Sequence, residues 1–136
     1  MTIIASYGLA AQTLSGTATP SITINAAVAG SEPTPKSNSG SKITYSGKTY
    51  ISKITVSTVC PSQKFDLSVV ATGTFTGHGT PLSVTLLNGM LAADFITNIP
   101  VNALSNTASL QYTCAPQFSD GTGTDTHTVT YTQVLQ

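Results

Sequence analysis

The sequence predicts an all-β chain, an antiparallel immunoglobulin-like β-sandwich of about 8–10 strands, on three observations. From 122 to 132 every even position is threonine, while the odd positions run Gly123, Asp125, His127, Val129, Tyr131, Gln133 and Leu135. Successive side chains of a strand point to opposite faces, so a period of two with β-branched residues on one face marks a strand. Threonine supplies 24 of the 136 residues, and Ser and Thr together 40, which covers outer sheet faces with hydroxyls instead of charge. Turn-forming residues recur roughly every ten positions, the spacing of a sandwich. A threonine-rich solenoid is the competing architecture, but it needs a constant repeat and none is present.

The length fits a single domain, 1–136. Charge is scarce: Lys36, Lys42, Lys48, Lys53 and Lys64 balance Glu32, Asp66, Asp94, Asp120 and Asp125, and there is no arginine. A neutral chain with one loose lysine cluster is ill suited to neutralising phosphates, so nucleic acid is not an expected partner. The first residues lack the basic and apolar regions of a signal peptide, and no stretch is long enough to span a membrane. Cys60 and Cys114 lie in strand-like contexts and as a disulfide would close a 55-residue loop. Such a loop contributes on the order of 4 kcal/mol in the chain-entropy model. Two free core thiols are the alternative. A disulfide needs an oxidising compartment, and the low charge with abundant Thr, Ser and Asn suits an extracellular or cell-surface location.

Taken in order, Ile3, Ala5, Tyr7, Leu9 and Ala11 alternate with small residues and predict a first strand. Ile22, Ile24, Ala26 and Val28 predict a second, set off by Pro20. The segment from Gly30 to Lys42 is rich in Pro, Ser and Gly and reads as a mobile surface loop. Ile43 to Tyr50 reads as a hairpin turning at Ser46-Gly47, and Tyr50 to Cys60 as a strand with Ile54 and Val56 inward. After a turn at Pro61 to Lys64, Phe65, Leu67, Val69 and Ala71 form an inward face, and Gly77-His78-Gly79 reverses the chain. Leu82 to Leu87 predicts a strand and Asn88-Gly89 a hairpin. Leu91 to Ile96 alone has some helical flavour. Ala108, Leu110, Tyr112 and Cys114 make one face of the penultimate strand, which Asp120-Gly121 joins to the threonine strand as its expected partner.

Catalytic equipment is sparse. Of two histidines, His78 sits in a glycine turn and His127 stands beside Asp125, and neither lies in a nucleophile elbow or a zinc-type histidine spacing. His127 is expected to face solvent or an interface. The aspartates lie in loops or beside turns, which does not suit paired-carboxylate chemistry. The sequence therefore predicts no enzyme, no catalytic residue, no metal site and no cofactor.

The two ends carry a resemblance. Gly123 is fourteenth from the C-terminus, and Val129, Tyr131 and Leu135 occupy alternating positions after it. This resembles the last strand of chaperone–usher pilins, with Leu135 standing where those carry a penultimate tyrosine and with Asp125 and His127 interrupting the apolar register. The threonine-rich tail is also similar in texture to spore-coat-U-like surface proteins. In the pilin resemblance, Ile3, Ala5, Tyr7, Leu9 and Ala11 look like a donor strand within an exchangeable segment 1–14, by which one subunit completes its neighbour's sheet. The resemblance implies a subunit of an extracellular, pilus-like filament that polymerises head to tail with copies of itself, with an assembly chaperone as a further partner. The alternative expectation is a monomeric secreted binding module that uses threonine-rich faces for a glycan or for ice.

Overall fold

A computed structural model describes residues 2–7, 15–17, 34–117, 120 and 124–136. The described residues form ten strands and no α-helix: β1 (Thr2–Tyr7), β2 (Ser15–Thr17), β3 (Lys36–Tyr45), β4 (Ser52–Val59), β5 (Asp66–Thr72), β6 (Thr80–Pro81), β7 (Val84–Leu86), β8 (Ala93–Ile99), β9 (Asn106–Ala115) and β10 (Thr126–Leu135). One sheet has the order β1-β10-β4-β8-β6 and the other β2-β3-β9-β5-β7. Every pairing is antiparallel except β1 with β10, which is parallel. The all-β sandwich predicted from the sequence is the fold observed.

The inward faces follow the period of two. Leu67, Val69 and Ala71 of β5, Ala108, Leu110, Tyr112 and Cys114 of β9, and Val129 and Tyr131 of β10 are buried in one core with Ile54, Val56 and Phe95. The Tyr112 and Tyr131 hydroxyls hydrogen-bond at 2.7 Å between the two sheets, and the Phe95 and Tyr131 rings pack tilted with centroids 5.2 Å apart. Large rings fill the space between sheets, and a phenol accepted there needs a polar partner for its hydroxyl. On the outer face of β10, Thr126 and Thr128 are exposed and Thr130 and Thr132 half-buried, as the even threonine row predicts.

Several local expectations are corrected. Lys36 to Lys42 is not loop but the first part of β3, paired with β9 across a register shift between Asn38 and Ser41. Its side chains are mostly exposed, so its polar composition reflects an outward-facing strand whose main-chain bonds come from β9. The helical flavour of 91–96 gives way to β8, because β4 offers Ala93 to Ile99 a ladder. The strand expected at Leu82 to Leu87 shortens to Val84–Leu86. Ser46-Gly47 and Asn88-Gly89 are not hairpin turns: β3 and β4, and likewise β7 and β8, lie in opposite sheets. The same holds for β9 and β10, so β10 pairs with β1 and β4 rather than with the Ala108 to Cys114 strand. Leu135, expected on the core face, is 65% exposed as the last residue of β10, although it still pairs with Ser52 of β4. The second strand expected at 22–28, Leu9, Ala11 and Gly123 lie outside the described residues.

The β3–β4 crossing is locked against the β8–β9 connection. Gly47 N–H donates to Ala103 O at 2.8 Å and Asn102 N–H to Lys48 O at 2.7 Å. A β-carbon at Gly47 would overlap the Ala103 nitrogen and the Pro100 carbonyl oxygen, both rigid backbone atoms. Gly47→Ala is therefore expected to cost about 3 kcal/mol through overpacking. The measurement is a fall in the urea midpoint at unchanged slope, and a variant as stable as the wild type would refute this contact.

Candidate functional site

Three side chains remote in sequence meet where β4 ends and β10 begins. β4 and β10 are antiparallel with Thr128 opposite Val59, so continuing the register by one step sets His127 opposite Cys60. Asp125 lies two positions before His127, on the same inward face. All three residues are buried, and one ligand atom from each, the Cys60 sulfur, a carboxylate oxygen and an imidazole nitrogen, lies within 4.8 Å of the others.

The surrounding bonds hold each group in place. Asp125 Oδ2 accepts the Lys64 and Phe65 amides at 2.9 and 2.8 Å, which pins the turn after β4 to the start of β10. The Asn88-Gly89 turn docks on the same end: Cys60 N–H donates to Asn88 Oδ1 at 2.9 Å, Asn88 N–H to Gln63 Oε1 at 2.8 Å, and Gly89 N–H to Thr58 O at 3.1 Å. Gly89 takes φ of 70°, a left-handed conformation natural to glycine, which aims the turn at β4. Thr58 Oγ1 lies 3.1 Å from His127 Nδ1 and donates to Thr128 O at 3.3 Å. A hydroxyl has one proton, so with that proton on Thr128 O the imidazole must donate from Nδ1 to Thr58. This leaves Nε2 with its lone pair, buried and without a hydrogen-bond partner.

The electrostatics are those of a neutral thiol beside a neutral imidazole. Burial pushes the Cys60 thiol up, the Asp125 charge adds to this, and a hydrogen bond with the Thr126 backbone opposes it. Burial pulls His127 below its ordinary value, with Asp125 opposing. A nucleophilic cysteine needs a lowered pKa and access to substrate, and Cys60 has neither. A shallow open hollow of about 230 Å3 lies elsewhere, among Asp66, Leu67, Ser68, Thr85, Thr113 and Ala115, with no histidine or cysteine in its lining.

The residues singled out in the sequence are thus distributed unevenly. His127, expected to face solvent or an interface, is wholly buried. The expected disulfide is not formed: Cys60 and Cys114 are both buried free thiols. Cys60 follows β4 in the first sheet with its sulfur near Asp125 and His127, whereas Cys114 belongs to β9 of the second. Ile3, Ala5 and Tyr7 stand in β1 opposite His127, Val129 and Tyr131. The Asp125-x-His127 spacing was visible in the sequence, while the contribution of Cys60 becomes apparent only through the β4–β10 register. Comparison of the chain with family models, curated proteins and solved structures gives no match.

Two measurements test this description. Denatured protein should release two thiols, whereas the native protein should react slowly. Cys114 in particular is pushed up to about 11 by burial first of all, so roughly one in a thousand is thiolate at pH 8. Rapid native labelling of both thiols would contradict the burial. Because folding lowers the His127 pKa, the unfolded chain binds the proton more tightly, and stability should fall as pH drops through the ordinary histidine range. From this one group the slope cannot exceed about 1.4 kcal/mol per pH unit. His127→Gln should flatten the profile between pH 7.5 and 5 in chemical denaturation, and an unchanged profile would assign the dependence to other groups.

Proposed function

We propose that this protein is a non-enzymatic structural subunit of an extracellular filament or coat, assembled head to tail by exchange of its N-terminal strand between copies. The observation that carries this reading is the asymmetry of the sheet edges. On one side the sandwich ends in β6, two residues with Pro81, and β7, three residues. Such short edges, one of them carrying a proline, offer little template for an incoming strand. On the other side the edges are β1 and β2, and beneath them lie β10 and β3, each ten residues long.

Among the described residues, β1 pairs with β10 alone, in six register pairs from Thr2 opposite Thr126 to Tyr7 opposite Tyr131. Its departure would leave a long edge able to accept the same segment from a neighbour, with main-chain bonds supplying affinity and alternating side chains supplying register. Donor and acceptor are different surfaces, so such a contact propagates as an open chain rather than closing as a dimer. An assembly chaperone would act by capping that same edge.

A second reading, a monomeric module that binds a glycan or ice, is supported by the hydroxyl-rich outer faces. Thr126 and Thr128 are exposed on one sheet, and the pairs Ser37–Thr113 and Thr44–Thr107 bond at 2.9 and 2.8 Å on the other.

Deletion of residues 2–12 separates the two readings. Under strand exchange, the full chain forms filaments by negative stain and size exclusion, while the truncated chain does not and instead binds a synthetic peptide of residues 2–12. Filaments of unchanged length from the truncated chain, or a full-length chain that stays monomeric at high concentration, would overturn the proposal.

A further inference from the structure

We propose that Cys60, Asp125 and His127 form a binding site for a divalent transition-metal ion of the zinc class. Their ligand atoms already lie within 4.8 Å of one another. Tetrahedral zinc with metal–ligand bonds of about 2.0–2.3 Å requires ligand separations of roughly 3.3–3.6 Å. Closing the remaining gap needs side-chain adjustment and no change of strand register.

The imidazole and the carboxylate are presented in the form a metal needs. The Thr128 O, Thr58 hydroxyl and His127 Nδ1 chain orients the ring and fixes the tautomer that leaves Nε2 as the donor atom. Nε2 is buried and has no hydrogen-bond partner, a costly state for a polar atom unless something accepts its lone pair. The two backbone amides engage Asp125 at Oδ2 and orient the carboxylate, with Oδ1 the oxygen they do not use. Binding exchanges the Cys60 S–H bond for a metal–sulfur bond, and the proton passes to solvent.

The donor set defines the ion. One thiolate, one imidazole and one carboxylate suit zinc, cobalt or copper and do not suit calcium or magnesium, which take oxygen ligands. With three protein ligands, the fourth position falls to water. The ion would tie the end of β4 to the start of β10.

The test uses the full chain, reduced, stripped with chelator, and titrated with Co2+. A thiolate-to-cobalt charge-transfer band in the near ultraviolet should saturate at one equivalent and be displaced by Zn2+, and Zn2+ should raise the melting temperature. The band should vanish in Cys60→Ser and persist in Cys114→Ser, while His127→Gln should weaken cobalt binding at least tenfold. Absence of the band in the reduced wild type at saturating Co2+ overturns the proposal without recourse to any variant. A band that survives Cys60→Ser, or one lost equally in Cys114→Ser, places the thiolate elsewhere and overturns it as well.

Discussion

The inward row of β10 is the constraint on which the rest of this structure depends. His127, Val129, Tyr131 and Gln133, with Asp125 just before the strand, are all buried, and the polar members of the row reach different parts of the chain. Asp125 takes the amides after β4, His127 the hydroxyl of Thr58, and Tyr131 the hydroxyl of Tyr112 in the opposite sheet. Gln133 donates to Ser46 O and Ser52 Oγ, both at 2.9 Å. A shift of one residue in register would carry all of these groups to the solvent face and bring threonines into the core. The polar residues that break the apolar pattern of this strand are therefore what fixes its position.

A second constraint is topological. From β3 to β10 each described strand lies in the sheet opposite its predecessor. Connections consequently arch over the ends of the sandwich, and their turns pack against strand termini. This is why Asn88-Gly89 reaches Cys60 and Thr58, and why Gly47 lies against Pro100 and Ala103. An Asn-Gly pair encodes a tight reversal through its left-handed tolerance, but a reversal within one sheet and a crossing between two sheets use the same local chemistry.

That distinction sets what was legible in the sequence. The inward faces of β5 and β9, and Val129 and Tyr131 of β10, could be read residue by residue, because a two-residue period is a local property of the chain. Strand partners could not, since they depend on contacts between distant segments: β10 expected β9 and found β4, and the polar run at Lys36 became strand once β9 paired with it. The candidate site divides in the same way. Asp125 and His127 share a face by spacing alone, while Cys60 reaches them only through the antiparallel register that sets Thr128 opposite Val59. Burial was misjudged for a related reason. A histidine in a threonine-rich strand resembles a surface residue until its Nδ1 partner, Thr58, is supplied by another strand.

The candidate site and the β1 edge occupy the two sides of one strand. Ile3 stands in register with His127 on the β1 side, whereas Cys60 and Thr58 come from the β4 side. β10 makes eight register pairs with β4, and its inward row bonds to the turn after β4, to Tyr112 of β9 and to Ser46. Loss of β1 therefore removes an edge ladder without removing the groups that set the register of β10. If β1 exchanges as proposed, an edge that holds its register in this way would be preorganised, and an incoming strand would not have to order the surface it joins. A metal ion bridging Cys60 and His127 would reinforce that property, since it fixes β10 to β4 at the very end where β1 begins its pairing. Under the two proposals, occupancy of the site and exchange of the strand would be separable events acting on opposite sides of the same strand.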